Sequence, residues 1–210
     1  TARLMAVNLD LDALTAQERY KLLTAVVIPR PIAWVTTVNK DGLVNAAPFS
    51  FFNVFGQDPA LVILGLERRA DGSRKDTECN IDANEEFVVN IPTLDDVEAM
   101  VATAAAYPSD ESEPKVLGLD LVPSVKVTPP RFAKAAVAIE CVRLMALSLS
   151  AERCILLGRA VGLASRDGLI DLETMHVNWG GNYPVARLFG DRYGRVEDIK
   201  THTIPQPRKT

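Results

Sequence analysis

Two short segments of the sequence carry residues suited to holding a flat, phosphorylated ligand. The first, NAAPFSFFNVF at residues 45–55, sets small side chains beside four phenylalanines. Ala46, Ala47 and Ser50 would let a ring approach the backbone, whose N–H groups could then meet its heteroatoms. Pro48 has no N–H, so we expect this strand to pair incompletely and leave neighbouring groups free for a ligand. The alternative is an ordinary barrel core with a proline on an edge strand.

The second segment, SRKDT at residues 73–77, resembles the start of a helix at an anion site. Free N–H groups, the positive end of the helix dipole and Lys75 would together suit a phosphate. A solvated turn with an N-cap is the alternative. Thr36 and Thr37, at the end of the preceding strand, would add hydroxyl donors, and Trp34, Phe49 and Phe51 would supply stacking or edge contacts to a ring.

The sequence shows no pattern of self-sufficient catalytic chemistry. It contains two histidines, His176 and His202, far apart in the chain, and no HxxxH, CxxC or clustered carboxylates that would suggest a metal site. Nucleophile-elbow, Walker and dinucleotide fingerprints are absent as well. We therefore predict no catalytic side chain and no metal, and expect a cofactor to carry the reaction if the protein is an enzyme.

Bulk composition narrows the class of protein. The 210 residues carry a formal net charge of −4, which argues against binding nucleic acid or anionic membrane. No apolar run approaches the length of a membrane span, and no signal peptide is evident. Three cysteines, widely spaced and odd in number, indicate reduced thiols. We therefore expect a cytoplasmic protein.

Periodicity and turn residues predict one domain, mostly antiparallel β with a few helices, whose sheet closes into a barrel. We expect an N-terminal extension at 1–25, the barrel domain at 26–195 and a C-terminal tail at 196–210. Residues 108–115 read as an exposed acidic loop. The predicted helices are 14–26, a short one starting near Asp76 or Thr77, and 93–107 with Thr93 as N-cap; the predicted strands are 32–38, 43–53, 60–66, 86–91, 133–149 and 153–165.

The order of these motifs resembles one known family. The segments that carry the resemblance are PRPIAWVTT, DG and NAAPFSFFNVF, followed by KDT, NI and FVVN. In these segments the sequence resembles the flavin reductase-like, FMN-binding split-barrel proteins, which include flavoredoxin-like members. The likeness continues to YPVARLFGDRYG at 183–194 and covers roughly residues 25–195. It implies a mainly β fold, an FMN-binding split β-barrel with Greek-key-like antiparallel strands.

The resemblance also implies a binding site. It places an FMN at the interface of a homodimer, with Arg187 and Tyr193 reaching over the flavin from the same chain or its neighbour. A main-chain N–H from residues 46–49 would bond flavin N5 or O4. The remaining cofactor-binding residues implied are Trp34, Thr36, Thr37, Asn45, Ala46, Ala47, Pro48, Phe49, Ser50, Phe51, Lys75, Asp76, Thr77 and Asn80.

The activity implied is hydride transfer from NADH or NADPH to bound FMN, and onward to free flavin, another acceptor or a partner protein. Many relatives carry a histidine near the nicotinamide, where this chain has Arg153 or Cys154. This departure keeps open an alternative, a flavoredoxin-like FMN electron carrier without its own NAD(P)H reductase activity. A barrel that binds haem or pyridoxal phosphate is a third interpretation, although neither histidine falls in the segments proposed for the site.

Overall fold

A computed structural model describes residues 6–69 and 71–203. Four α-helices lie in these ranges: α1 (Ala16–Val26), α2 (Asp76–Asn84), α3 (Val97–Ala102) and α4 (Glu113–Val116). Helix α1 begins at a capping box, in which Thr15 accepts the Glu18 N–H and the Glu18 side chain binds back to Thr15. None of the helices in the described residues is long and apolar enough to cross a membrane.

The strands form three antiparallel sheets. The largest has seven strands in the order β3-β2-β6-β9-β10-β5-β4, and the smaller ones are β1-β11-β12 and β7-β8. The strands are β1 (Arg30–Pro31), β2 (Ala33–Val38), β3 (Val44–Phe49), β4 (Phe52–Gln57), β5 (Ala60–Glu67), β6 (Glu86–Ile91), β7 (Leu121–Val122), β8 (Arg131–Phe132), β9 (Val137–Ser148), β10 (Arg153–Ser165), β11 (Ala186–Arg187) and β12 (Tyr193–Gly194).

A two-residue connection closes the large sheet into a barrel. Strands β3 and β4 occupy its opposite edges, yet only Ser50 and Phe51 separate them in the chain. The two edges must therefore lie close together, and the Gly65 N–H donates to the Phe51 carbonyl at 2.7 Å, which continues the β4–β5 pairing into the connection. The mainly β, antiparallel barrel prediction is confirmed. The prediction of one strand over 43–53 is wrong, because the chain passes from one sheet edge to the other at Ser50 and Phe51.

The barrel interior is a buried apolar core. Phe87, Leu64 and Leu156 are at most 2 % exposed and belong to one cluster of buried side chains. Gly158, on β10, is needed for this packing, because a Cβ there would stand 2.4 Å from Phe87 Cζ. The β9–β10 register also shifts at Gly158, as expected where a glycine lets a barrel strand bend.

Three predicted boundaries need correction. The helix expected over 93–107 is a 3₁₀ turn at Leu94–Asp96 followed by α3, which ends at Ala102. The predicted N-cap residue of this helix, Thr93, is confirmed, because Thr93 and Asp96 form a reciprocal pair of hydrogen bonds. The strand expected from 133 begins at Val137. Residues 108–115 are not simply an exposed loop, because Glu113 starts α4 and is buried.

Candidate functional site

The barrel junction opens onto a cleft with a cavity volume of about 200 Å³. The predicted site residues that meet there come from the β3–β4 junction, the start of α2 and the C-terminal β11–β12 pair. Further lining residues come from α1, β5, the α3 region and the start of β10. The cleft brings together seven of the residues predicted for the site, namely Pro48, Phe49, Ser50, Phe51, Lys75, Arg187 and Tyr193. Its other lining residues are Tyr20, Ile32, Gly65, Glu67, Met100, Ala104 and Arg153.

Strand β3 lies at the edge of the sheet beside this cleft. Its Ala46 N–H points away from β2 and donates to Glu113 Oε2 at 2.9 Å. Successive N–H groups of a strand point to opposite sides, so those of Ala47 and Phe49 point towards β2. The nitrogen of Pro48 points to the other side, so its missing N–H removes no hydrogen bond to β2. Pro48 pairs opposite Trp34, so β3 is paired along β2, while its other edge, to which the Pro48 nitrogen points, has no strand neighbour in its sheet. A bond from a main-chain N–H of residues 46–49 to flavin N5 or O4 stays a prediction.

An aromatic wall lines one side of the cleft. Phe51 packs directly over Gly65, where an added Cβ would approach Phe51 Cβ to 2.9 Å. The guanidinium of Arg153 lies 4.9 Å from the centre of the Phe51 ring and 5.7 Å from that of Tyr20. Arg153 Nη2 also pairs with Glu67 at 3.1 Å. This wall therefore consists of two aromatic rings, tilted by 45° to each other, with a positive charge at its end.

The start of α2 provides an anion-binding feature. Lys75 is the N-cap residue, but its side chain does not cap the helix and instead lies with Nζ 5.9 Å from the centre of the Phe49 ring. The two acidic residues of the first turn are already paired, Asp76 with Arg69 at 2.6 Å and Glu78 with Arg68 at 3.3 Å. A helix N-terminus without a side-chain cap, next to a lysine, suits a phosphate.

The C-terminal strands cover another side of the cleft. Arg187 lies over the Tyr193 ring at 4.7 Å and bonds the Tyr193 hydroxyl. Behind them, the buried Arg30 donates to the carbonyls of Thr24 and Leu188, which joins α1 to this C-terminal region. Burial, with a smaller effect of the nearby Arg187, lowers the pKa of Arg30. The cleft therefore has a fixed cationic border.

Five of the other predicted residues form buried polar contacts or line a different pocket. With its amide oriented so that both atoms find partners, Asn45 accepts from the Thr77 hydroxyl at 3.0 Å and donates to Glu113 at 3.2 Å. Asn80 donates to the Thr37 hydroxyl at 3.0 Å. Asn45, Asn80 and Asp76 line a second, small polar pocket. These side chains bind one another rather than the cleft, and their contact with a ligand stays a prediction.

The last four predicted residues lie in packed regions. Trp34 stacks on Phe132 with ring centres 3.7 Å apart and donates its Nε1–H to the Thr103 hydroxyl at 3.0 Å. Thr36 donates to the Pro130 carbonyl at 2.5 Å. Ala46 is fully buried and Ala47 packs on the barrel core. Their small or polar side chains are explained by packing within the chain, and the structure does not bring them into the cleft.

Sequence reasoning missed Glu113. Its carboxylate is 6 % exposed and holds both the Ala46 N–H and the Asn45 amide. Burial raises the pKa of Glu113, the neighbouring Asp76 adds to the rise, and the Ala46 N–H opposes it. The one sequence signal was Pro114 directly after Glu113, because proline is favoured at the first position of a helix. Nothing in the sequence connected Glu113 with Ala46.

At the start of β10, Arg153 faces the cleft and Cys154 faces the barrel core. Within residues 6–69 and 71–203, no three side chains of histidine, cysteine, aspartate or glutamate come together to hold a metal ion. The cleft thus offers cations, an aromatic wall and a helix N-terminus without a side-chain cap. Chemically, it can bind and orient a planar anionic molecule.

Comparison with known proteins agrees with this geometry. A crystal structure of Pseudomonas fluorescens 2-nitrobenzoate 2-nitroreductase is 36% identical, with a TM-score of 0.86 over 95% of this chain and 96% of that one. Nitrilotriacetate monooxygenase component B from Bacillus cereus is 33% identical, with a TM-score of 0.87 over 94% and 98%. A split barrel domain protein from Shewanella frigidimarina, 16% identical over 92% and 96%, shares the fold at a TM-score of 0.78. Residues 25–202 match the model of the flavin reductase like domain, and the chain therefore belongs to that family.

Proposed function

We propose that this protein is an FMN-dependent oxidoreductase of the flavin reductase type, with NADH or NADPH as reductant. The observation that carries the proposal is the position of Lys75, at the uncapped start of α2 and beside an aromatic wall in one cleft. A phosphate and a flat ring are the two chemical parts of FMN, and the cleft has a place for each. The final acceptor is a free flavin, another small molecule or a partner protein.

The residues present fit FMN by the chemistry of their donors. Lys75 and the first N–H groups of α2 would hold the phosphate, since an anion there is favoured by both charge and helix dipole. Pro48 and Phe51 would flank the ring, and Ser50, which directly follows β3 in the cleft, would supply polar contacts. When bound, FMN supplies hydride acceptance and electron transfer, chemistry that no side chain of the cleft can provide.

The chain's own contribution is to bind and orient. Phe51 is held in place by Gly65, and β3 by β2 on one edge and Glu113 on the other. A rigid wall of this kind fixes the exposed face of a bound ring relative to the incoming reductant, which is how a site without a general acid can accelerate a direct hydride transfer. Arg187 and Tyr193 would limit the access of water from the C-terminal side.

We further propose that the protein is a homodimer with the flavin at the subunit interface. A cavity of about 200 Å³ is smaller than the typical site for a small molecule, about 300–1,000 Å³, so one chain would enclose only part of an FMN. The β9–β10 hairpin also exposes about half or more of the side chains of Leu144, Met145, Leu147 and Leu149. Such a patch marks an interaction surface. The three free thiols fit a cytoplasmic location.

The absorbance spectrum of the purified protein tests the proposal. After extensive dialysis we expect a flavin spectrum with about one FMN per chain, bleached rapidly on mixing with NADH or NADPH under anaerobic conditions. A yellow protein that bleaches only slowly would support the alternative, an FMN electron carrier served by a partner protein. A protein that stays colourless after incubation with excess FMN would refute both, and a haem or pyridoxal phosphate spectrum would identify a different ligand.

A further inference from the structure

We infer that Arg153, Phe51 and Tyr20 form a second anion subsite of the cleft, which recognises the carboxylate of a planar aromatic acid. The inference deepens the proposed function, because it names the chemical class of small molecule that would lie next to the flavin. It depends on three observations: the stacked arrangement of these side chains, the free donors of the guanidinium and the separate location of Lys75.

The guanidinium of Arg153 is held in a defined orientation. Arg153 begins β10 directly opposite Glu67 on β5, and the two side chains pair at 3.1 Å. The guanidinium carbon lies 4.9 Å from the Phe51 ring centre and 5.7 Å from that of Tyr20, within the range of cation–π contact. A planar guanidinium fixed on a ring loses little entropy when it binds a carboxylate.

Most hydrogen-bond donors of this guanidinium are available to a ligand. Of its five N–H donors, the pairing with Glu67 uses Nη2, and Nε and Nη1 have no acceptor among the residues that the structure describes. The Glu67 side chain is 51% exposed, and exposed ion pairs contribute only about 0–1 kcal/mol. A ligand carboxylate can therefore take a two-bond contact from the second N–H of Nη2 and the neighbouring free nitrogen, without displacing a strong existing interaction.

The phosphate of FMN has a better location elsewhere in the cleft. Lys75 lies over a different ring, that of Phe49, at the open N-terminus of α2. Arg187 is already bound to Tyr193, to the Gly190 carbonyl and, at 3.5 Å, to Asp191. Within the described part of the chain, Arg187 therefore has two of its three nitrogens engaged, whereas Arg153 has one, Nη2, so Arg153 offers more unused donors away from the phosphate position.

The neighbouring rings suggest an aromatic acid rather than an aliphatic one. Phe51 cannot retreat, because Gly65 lies directly beneath it and the junction carbonyl is bound to the Gly65 N–H. Tyr20, 47% exposed, stands at the rim with its ring centre 6.3 Å from that of Phe51. The two rings are tilted by 45° and leave no space for a third ring between them, but a planar ring placed against the exposed side of Tyr20 would gain an aromatic contact of about 0.5–1.5 kcal/mol, which an aliphatic acid would lack.

Calorimetry with benzoate and its neutral isostere benzamide tests this assignment, on protein with and without added FMN. We expect benzoate to bind about tenfold or more tightly than benzamide, in line with a charge-assisted contact. Arg153→Gln should abolish this preference and leave the FMN content unchanged. Arg159→Gln, which removes an exposed arginine from the same strand, should behave as wild type.

Three other outcomes would overturn the inference, and a fourth would separate it from the FMN proposal. If Arg153→Gln lowers the FMN content, Arg153 serves the flavin phosphate. If the variant weakens NADPH binding but not benzoate binding, its partner is the nucleotide phosphate. Equal affinities of wild-type protein for benzoate and benzamide would remove the subsite altogether. A colourless protein that still prefers benzoate would refute the FMN proposal while retaining the anion subsite.

Discussion

The carboxylate of Glu113 accepts the main-chain N–H of Ala46 at 2.9 Å, although 66 residues lie between them in the chain. This bond occupies the outer edge of β3, which has no strand neighbour on that side in its sheet. An unpaired strand edge is otherwise open to association with other chains. Glu113 therefore caps the edge strand that ends in the cleft, and it does so with a buried charge.

Replacing the Glu113 carboxylate tests how much its burial lowers the free energy of unfolding. Because the pKa of Glu113 is raised in the fold, the native state binds the proton more tightly than the unfolded state, and stability increases as pH falls between the raised and the ordinary value. At neutral pH the buried charge is unfavourable. We expect Glu113→Gln to raise the free energy of unfolding at pH 7, because the glutamine oxygen still accepts the Ala46 N–H and Asn45 can turn its amide oxygen towards the new NH2 group.

The pH profile separates this effect from general stabilisation. The advantage of Glu113→Gln in urea unfolding should shrink as pH falls through the raised pKa and vanish below the ordinary range of a glutamate. Glu113→Ala should lose about 1–3 kcal/mol at every pH, since the Ala46 N–H would stay without a partner. Glu111→Gln, at an exposed neighbouring position, serves as the control. A pH-independent gain for Glu113→Gln would contradict this account.

Lys75→Ala tests the phosphate position. We expect the variant to fold normally and bind FMN more weakly by about 1.5–3 kcal/mol, the range for a hydrogen bond to a charged group. Fluorescence titration with FMN and, in parallel, riboflavin measures the effect; riboflavin, which lacks the phosphate, should bind both proteins equally. Lys40→Ala removes an exposed lysine and should leave both affinities unchanged. Equal loss for FMN and riboflavin would move Lys75 away from the phosphate.

Gly158→Ala tests the packing of the barrel. The added methyl would stand 2.4 Å from Phe87 Cζ, so we expect the free energy of unfolding to fall by about 1–3 kcal/mol. Phe87→Leu removes the end of the opposing ring, and the glycine substitution should cost measurably less in that background. A double-mutant cycle by chemical denaturation gives the coupling. Simple additivity of the two changes would show that the clash is relieved elsewhere.

Thiol reactivity tests the environments of the cysteines. Burial, with a contribution from Glu140, raises the pKa of Cys141 to about 12, and burial, with Glu78, raises the pKa of the Cys154 thiol. Since the thiolate is the reactive form, a disulfide reagent at pH 8 should modify the partly exposed Cys79 first and the other two only on unfolding. Cys79→Ser should remove the fast phase. Fast modification of two thiols in the folded protein would contradict the burial described.

Much of the barrel follows from short-range patterns in the sequence. The strand predicted at 86–91 matches β6, and those at 60–66 and 153–165 match β5 and β10 to within a residue. Apolar runs of strand length, bounded by turn residues, determine such elements locally. Lys75 at a helix start was predictable for the same reason, because the signal for a helix N-terminus lies within a few residues.

The break between β3 and β4 could not be predicted in this way. The run from Phe49 to Phe52 is continuous in its apolar pattern, and only closure of the barrel requires the chain to change edges there. The small residues Ala46 and Ala47 suggested a gap for a ring, yet the first is buried in its own packing and the second lies against the barrel core. A small side chain indicates that another group packs closely against the backbone. Whether that group is a ligand or another part of the chain depends on contacts between residues distant in sequence.

The sequence alone thus determined the element types, the motif order and the family resemblance, since these depend on periodicity, turn chemistry and local spacing. Tertiary structure decided which side chains share the cleft. Arg153, Phe51 and Tyr20 come from β10, the barrel junction and α1, and Glu113 reaches Ala46 from α4. These contacts between residues distant in sequence depend on how the sheet closes and on which faces of its strands turn inward. No local sequence pattern contains that information.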